Sequence, residues 1–483
     1  MGQREPEVQA MMPQVARFDL ATFGRAQRRS DTFEWALFWV FVAGLAWVPY
    51  WYASNLLAAW GINAVLFPGL AVIYEISLVA RGASHPVAIK RVWVSAALFV
   101  AVVIWILIQN ATWTPSLLHH PIWGMAADDL QTSVRGSISV NRDLTTLALL
   151  RLITAASVLW LALQLCRNES RAIHFMMAFV AISAAYAAYG LMAFAWAQSE
   201  NTSSHSYVTS TFFNRNHYAA YAGMGLVAAF GLIARIYDRG VVADVGSLRF
   251  SIATFIDATG RALVLLGSAF LILVAVILTA SRGGIIATGS GVIVWAVLTF
   301  APTQKGSIER RMIMILGSAI VVGVFVAFGD TLMGKLAEAG LADANRIRVY
   351  AITLWSILDA PLLGYGYGTF ADIFPMFRDR STDVVGIWEQ AHNTYLEVFQ
   401  GLGLIFGSML VTSIVLLVLK CGKGAMVRRQ ITVPCIATGV AFLVGVHAMV
   451  DFSLQLQAVT LTFMAILGAG VAQSVSSQLA VSD

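Results

Sequence analysis

Long stretches of the chain contain no Asp, Glu, Lys or Arg, and this constrains the fold more than any other feature. Three such stretches, 172–199, 262–280 and 398–419, are each close to the ~20 apolar residues that a helix needs to cross a bilayer. Only 12% of all residues are charged and 58% are hydrophobic, whereas soluble domains carry about 25% charged residues. A surface with so few charges cannot be solvated by water, so we expect lipid to cover most of it.

Twelve apolar segments bounded by charged or turn residues predict twelve membrane-spanning helices. They lie at 34–52, 61–80, 92–108, 144–166, 172–198, 217–234, 262–280, 284–301, 312–329, 394–419, 432–450 and 454–475. The prediction is an all-α polytopic integral membrane protein, with an N-terminal segment 1–33, a helical domain 34–475 and a tail 476–483. The position of the turn that divides 34–80 into two spans stays open.

The distribution of basic residues predicts the orientation, because cytoplasmic loops of membrane proteins are enriched in lysine and arginine. With the N-terminus inside, the inner segments hold 21 of the 31 basic residues, the outer segments hold nine, and Arg151 falls within a span. Both termini are then cytoplasmic. Two long outer loops result, at 109–143 and 330–393. The second contains an amphipathic stretch at 346–358, followed by a break at Pro361 and the glycines Gly364, Gly366 and Gly368.

Arginines in three outer loops run against this charge bias. Arg215 precedes the sixth span, Arg282 lies in a tight turn between the seventh and eighth, and Arg346 opens the amphipathic stretch of the large loop. The planar guanidinium donates in pairs to phosphate oxygens and keeps its charge at all physiological pH values. Any one of these side chains could instead reach to lipid headgroups; as a set, they favour anion binding. Weaker candidates for the same site are Asn214, Asn216, His217 and Arg348.

A histidine at the end of the large loop is the candidate base. His392 lies in the sequence Glu-Gln-Ala-His-Asn at 389–393, and imidazole can accept a proton near neutral pH. Asn393 could orient a sugar hydroxyl, and Glu389 or Glu397 could fix the imidazole. The alternative is an interfacial histidine that caps a helix. Asp451, at the outer end of the eleventh span, is expected to be a helix-end or packing residue.

The order of these motifs resembles the O-antigen ligase and polymerase superfamily. The resemblance rests on Asn-Arg-Asn-His at 214–217, Ser-Arg-Gly-Gly at 281–284, Arg346 before Pro-Leu-Leu-Gly-Tyr-Gly at 361–366, and His392-Asn393 before Gly401 and Gly403. It covers about 200–420, and the span layout extends it to the whole chain. The ligase pattern has Gly, Thr or Tyr where this chain has Phe406, which leaves ligase and polymerase both open.

The resemblance implies a helical membrane glycosyltransferase of the GT-C type. The implied donor is a glycan on undecaprenyl diphosphate, the acceptor is a lipid A–core or another glycan, and the site faces the periplasm of a bacterial inner membrane. It further implies that Arg215, Arg282 and Arg346 bind the diphosphate and that His392 activates the acceptor hydroxyl, in an inverting reaction without metal or cofactor. Besides these substrates, membrane lipids are the expected partners, and no nucleic acid.

Two other classes of function compete with this interpretation. Twelve spans with both termini inside are also common in transporters, which place ionisable residues near the bilayer midplane and consist of matched halves. Here the spans are almost uncharged, the halves do not match, and the candidate residues lie at the outer boundary. A non-catalytic membrane scaffold is the third class, and substitution of His392 distinguishes it from an enzyme.

Overall fold

The computed structural model describes residues 20–199, 207–241, 248–300, 340–378, 387–428 and 430–475. This part of the chain is helical and contains no strand. The helices are α1 (Leu20–Trp47), α2 (Leu57–Arg81), α3 (Trp93–Asn110), α4 (Ile122–Leu130), α5 (Arg142–Leu165), α6 (Glu169–Ser199), α7 (Arg215–Val241), α8 (Leu248–Leu278), α9 (Arg282–Phe300), α10 (Gly340–Asp359), α11 (Phe370–Phe377), α12 (Thr394–Val427), α13 (Thr432–His447) and α14 (Gln457–Ser474).

Eight of these helices are long and apolar enough to cross a membrane: α2, α3, α5, α6, α7, α9, α12 and α14. Three more predicted spans coincide with shorter apolar helices, at Thr32–Trp47, Ala262–Leu278 and Thr432–His447. The predicted ninth span, 312–329, lies outside the described residues. The turn that the sequence left open between the first two spans falls between Trp47 and Leu57.

The most enclosed helices that could cross a membrane are α7 and α14. In an apolar stretch of 18 residues, α7 has 72% and α14 has 78% of its residues buried. They pack with α9, α13 and α5 to form the centre of the bundle. Small residues allow close approach there: a Cβ atom added to Gly291 of α9 would lie 2.7 Å from the carbonyl oxygen of Gly439 on α13. Apolar attraction between helices is weak in lipid, so close backbone packing of this kind is a main source of association.

The large outer loop is partly helical, as the sequence predicts. The amphipathic stretch 346–358 lies within α10, and the chain breaks after it at Pro361, where Gly364, Gly366 and Gly368 all have positive φ. This segment binds to a break in α12 at Gly403, which has φ 76°. Three backbone hydrogen bonds join the two segments. The N–H groups of Tyr365 and Gly366 donate to the carbonyl oxygens of Gln400 and Gly401, both at 3.1 Å. The N–H of Leu404 donates to the carbonyl oxygen of Pro361 at 2.7 Å.

Side chains of α3 fasten the same junction. Gln109 donates to the carbonyl oxygens of Leu363 and Gly401 at 2.7 and 2.8 Å. Phe406, the residue that departs from the ligase pattern, stacks on Trp105 with ring centroids 4.5 Å apart. The large loop is therefore held to the bundle by backbone bonds, which fixes the start of α12 and the residues just before it.

Candidate active site

Asp451 lies in the turn between α13 and α14, and its carboxylate is the centre of the candidate site. Only 1% of its surface is exposed. Its Oδ1 atom lies 3.1 Å from Nδ1 of His392 and 3.4 Å from Nε2 of His217, and the backbone N–H of Phe452 donates to the same oxygen at 2.9 Å. Nδ2 of Asn216 donates to Oδ2 at 2.6 Å. These partners offset the high cost of burying a carboxylate.

The pKa of Asp451 lies well below its ordinary value. Burial alone would raise it, because a poorly solvated environment disfavours the charged form. The hydrogen bonds and positive charge of His217 and His392 outweigh burial and lower the pKa. Asp451 is therefore an anion at neutral pH.

His392 sits immediately before α12 in a fixed and unusual backbone conformation. Its φ is +54°, a region that few residues other than glycine adopt, although histidine enters it more often than most. The Tyr350 hydroxyl donates to the His392 carbonyl oxygen at 2.8 Å, and the ring packs edge-on against Phe452 with centroids 4.8 Å apart. These contacts hold the imidazole in place without enclosing it, since 21% of the side chain is exposed.

The orientation of the imidazole suits a general base. Because Nδ1 faces the Asp451 carboxylate, Nδ1 carries the proton of the neutral ring and Nε2 becomes the acceptor. None of the residues that the structure describes forms a hydrogen bond with Nε2 of His392. The ring thus presents a proton acceptor, with a buried anion behind it to stabilise the imidazolium.

The first turn of α7 brings two predicted residues to this carboxylate. The side-chain oxygen of Asn214 accepts from the N–H of Asn216 at 2.8 Å and caps the helix start. The cap directs Asn216 and the buried His217 towards Asp451. Asn214 and Asn216 therefore position the helix and the carboxylate.

Of the three predicted arginines, Arg346 contacts the residue before Asp451, and Arg215 and Arg282 are each followed in the chain by a residue that lies beside this turn. An Nη atom of Arg346, on α10, donates to the carbonyl oxygen of Val450 at 3.1 Å. Arg282 is the first residue of α9, and a Cβ atom on the next residue, Gly283, would lie 3.1 Å from Val450. Arg215 is the first residue of α7, directly before Asn216, and its guanidinium lies 3.7 Å from the Tyr207 ring centroid.

Helix starts add to the positive potential of this region. The N-termini of α7, α9 and α12 all lie at the Asp451 turn, and each contributes the positive end of a helix dipole. For α9 the Ser281 hydroxyl accepts from the N–H of Gly284 at 3.1 Å, and for α12 the Asn393 side chain accepts from that of Leu396 at 3.1 Å. Guanidinium groups and helix N-termini together make this a suitable place for an anionic group.

Some sequence-based assignments need correction. The imidazole of His392 is fixed by Asp451 and not by Glu389, which is exposed, or Glu397, which accepts from the N–H of Ala391 at 2.6 Å. Asn393 caps α12 and donates to Met449 O at 2.9 Å, so both ends of its amide bind within the protein. Arg348 is exposed on α10.

Asp451 is the functional residue that sequence reasoning missed. Its one available signal was an acidic residue at the outer end of an otherwise uncharged span, after the His447 that ends α13. That signal does not reveal that a residue 59 positions away in the chain, His392, is its partner.

Fold and site together define a multi-spanning helical membrane protein with a histidine–aspartate pair beside a group of arginines. Residues 267–412 match the family model described as O-antigen ligase, so this part of the chain is similar to that family, in agreement with the resemblance of its motifs. The match covers less than a third of the chain and includes Arg282, Arg346 and His392 but neither Arg215 nor Asp451. No curated protein matches the chain. The described part of the chain thus combines helices able to cross a membrane with a region similar to O-antigen ligases.

Proposed function

We propose that the protein transfers a glycan from an undecaprenyl diphosphate-linked donor to an acceptor hydroxyl at the periplasmic face of the inner membrane. The observation that carries this proposal is the His392–Asp451 pair at 3.1 Å, located at a turn where the starts of three helices lie and which Arg346 contacts. General base and anion site are the two elements that displacement of a diphosphate from a sugar requires.

The acceptor hydroxyl loses its proton to Nε2 of His392 as its oxygen attacks the anomeric carbon of the donor sugar. The new C–O bond forms as the bond to the diphosphate oxygen breaks, and undecaprenyl diphosphate leaves with the bonding electron pair. A single displacement inverts the anomeric centre. Asp451 stabilises the imidazolium that forms, and general base catalysis of this kind contributes about 10²–10⁴-fold.

The leaving diphosphate gains negative charge as the bond breaks, and Arg215, Arg282 and Arg346 bind it in this proposal. Donors that are already oriented towards a developing charge stabilise the transition state without reorganisation. These guanidinium groups supply the positive charge, so the proposed reaction uses neither metal nor cofactor.

A ligase with a lipid A–core acceptor is the form we propose, because the matching family model carries the description O-antigen ligase. The alternative is a polymerase, whose acceptor is another undecaprenyl-linked repeat. Deletion of the gene distinguishes them by glycolipid profile: loss of a ligase leaves lipid A–core bare and undecaprenyl-linked polymer accumulating. Loss of a polymerase leaves single repeats attached to lipid A–core.

Complementation tests the role of the site. The wild-type gene should restore the glycolipid profile, His392→Ala should not, and both should be inserted in the membrane in equal amounts. His174→Ala is the matched control, since His174 is a half-buried histidine near the start of α6, away from the Asp451 turn. A His392→Ala variant that restores the profile would leave only a scaffold role. Solute transport without covalent product in proteoliposomes would indicate a transporter.

A further inference from the structure

A large cavity lined mainly by aromatic residues adjoins the candidate site and is not used by the proposed chemistry. Its volume is about 1370 Å³. Three segments line it: residues 47–52 between α1 and α2, residues 185–189 of α6, and residues 207–215 before and at the start of α7. Typical pockets for small molecules measure about 300–1,000 Å³, so this cavity has room for a ligand larger than one sugar ring.

Two stacked aromatic rings, those of Tyr52 and Phe213, form part of the cavity wall, and this pair is called the platform below. Tyr52 and Phe213 stack with ring centroids 4.6 Å apart and planes inclined by 13°. Although stacked on each other, they remain 47% and 68% exposed. Their exposed surfaces are therefore open to a ligand in the cavity.

The backbone that presents this platform is strained and firmly held. Tyr52, Ala53 and Ser54 have φ values of 49°, 57° and 52°, three consecutive residues in a region that L-amino acids disfavour. Ala53 and Ser54 are buried, and the Ser54 hydroxyl donates to Val48 O at 2.7 Å. Strain of this kind persists only where the surroundings enforce it, and it occurs most often at functional sites.

Polar groups line the cavity as well and lead towards the reaction centre. Thr211 donates through its hydroxyl to Pro49 O at 2.6 Å, which joins the two walls. The lining ends at Asn214 and Arg215, and the next residue, Asn216, binds Asp451 at 2.6 Å. A ligand in the cavity would therefore lie next to Arg215, one of the arginines proposed to bind the diphosphate.

The combination of flat aromatic faces with hydroxyl, amide and guanidinium groups matches a glycan. A sugar ring has an apolar face of C–H bonds that packs on an aromatic ring, and hydroxyl groups at its edge that need hydrogen-bond partners. An isolated aromatic belt at the lipid headgroups would not form a concave site.

We propose that this aromatic cavity binds the sugar rings next to the reacting one, with one ring stacked on the Tyr52–Phe213 platform. The inference rests on the proposed function, because it assigns the glycan chain of the donor or of the acceptor to a site beside the diphosphate.

Calorimetric titration of the full chain in lipid nanodiscs tests the proposal without turnover. The probes are O-polysaccharide and core oligosaccharide, released by mild acid from the lipopolysaccharide of the organism that carries the gene and separated by size. We expect saturable binding of one of them, weakened at least tenfold by Tyr52→Ala and by Phe213→Ala. Binding of the first alone identifies the donor glycan, whereas binding of the second identifies the acceptor, because O-polysaccharide released in this way still carries the core.

Controls separate this site from the catalytic centre. His392→Ala should bind the probe like the wild type while transferring no glycan. A wild-type protein that binds the glycan but transfers none would contradict the proposed function and leave the cavity assignment intact. Trp93→Ala, an exposed aromatic at the other end of the bundle, should also bind normally. The inference is overturned if neither probe binds the wild type, if both platform variants bind unchanged, or if farnesyl phosphate binds instead and loses affinity in the platform variants.

Discussion

Nδ1 of His392 lies 3.1 Å from Oδ1 of Asp451, which is 1% exposed and also binds Asn216. This pairing fixes which ring nitrogen carries the proton and leaves Nε2 to accept one. Asp451→Asn keeps the shape of the side chain and removes the charge that stabilises the imidazolium. We expect the kcat of glycan transfer to fall by about 10²-fold or more, within the range that general base catalysis contributes, and assays with purified donor and acceptor would measure it.

A merely structural role for Asp451 would give a different result. In that case Asp451→Asn would lower the amount of folded protein and leave the kcat of the folded fraction unchanged. Thermal unfolding of the purified variant, measured beside the activity, distinguishes the two outcomes.

The effects of substituting His392 and Asp451 on kcat should not be additive. If Asp451 acts through His392, then once His392→Ala has removed the base, adding Asp451→Asn should reduce kcat by less than about threefold further, because residues that act as a unit are strongly non-additive. The four proteins of the double-mutant cycle are assayed under identical conditions. Equal losses from Asp451→Asn with and without His392 would show that the carboxylate acts independently of the imidazole.

Acid should weaken the fold through the same carboxylate. Its pKa in the folded protein lies well below the ordinary value of 3.8 because His217 and His392 outweigh burial. A lowered pKa stabilises the folded state above the unfolded-state value, and this contribution is lost as pH falls through the folded value. The stability advantage of the wild type over Asp451→Asn should shrink as pH falls below about 4. Thermal unfolding from pH 5 downwards would show it, and an advantage that does not shrink below about pH 4 would contradict the assignment.

Arginine and lysine should not be interchangeable at the diphosphate. Arg282→Lys keeps the charge but replaces the planar fork of donors by a single ammonium group. We expect kcat/KM for the lipid-linked donor to fall about tenfold or more, equivalent to about 1.4 kcal/mol, with KM for the acceptor unchanged. Arg135→Lys, at an exposed position in the first outer loop, is the control and should behave like the wild type. Full activity of Arg282→Lys would remove Arg282 from the diphosphate site.

The hydrophobic pattern predicted much of the helical architecture, whereas the orientation predicted from loop charge stays a prediction. Eleven predicted spans coincide with helices, and the amphipathic stretch of the large loop lies in α10. Both features can be predicted because the length of an apolar segment and the helical spacing of apolar residues are properties of a short stretch of sequence. The start of α7 and the tight turn before α9 also lie where the arginine motifs predicted, next to one common turn.

Contacts between distant segments could not be predicted in the same way. Asp451 and His392 belong to different helix ends, and each has an ordinary local explanation as a helix-end residue. The aromatic cavity is similarly composite, since Tyr52, Tyr189 and Phe213 come from three segments. Periodicity defines which face of a helix is buried, but it does not identify the partner that covers that face.

The break at Gly403 connects the fold to the site, and it should not tolerate a side chain. Gly403 has φ 76°, and an added Cβ atom would collide with the carbonyl oxygen of Leu362. We expect Gly403→Ala to lower the free energy of unfolding by more than about 1 kcal/mol, since alanine is strained at positive φ, and to displace the segment that joins α10 to α12. Gly289→Ala is the matched control, because nothing lies within 4 Å of its added Cβ and alanine favours a helix. Thermal unfolding in detergent would compare them, and equal stability of both variants would show that the break is not needed to hold the large loop.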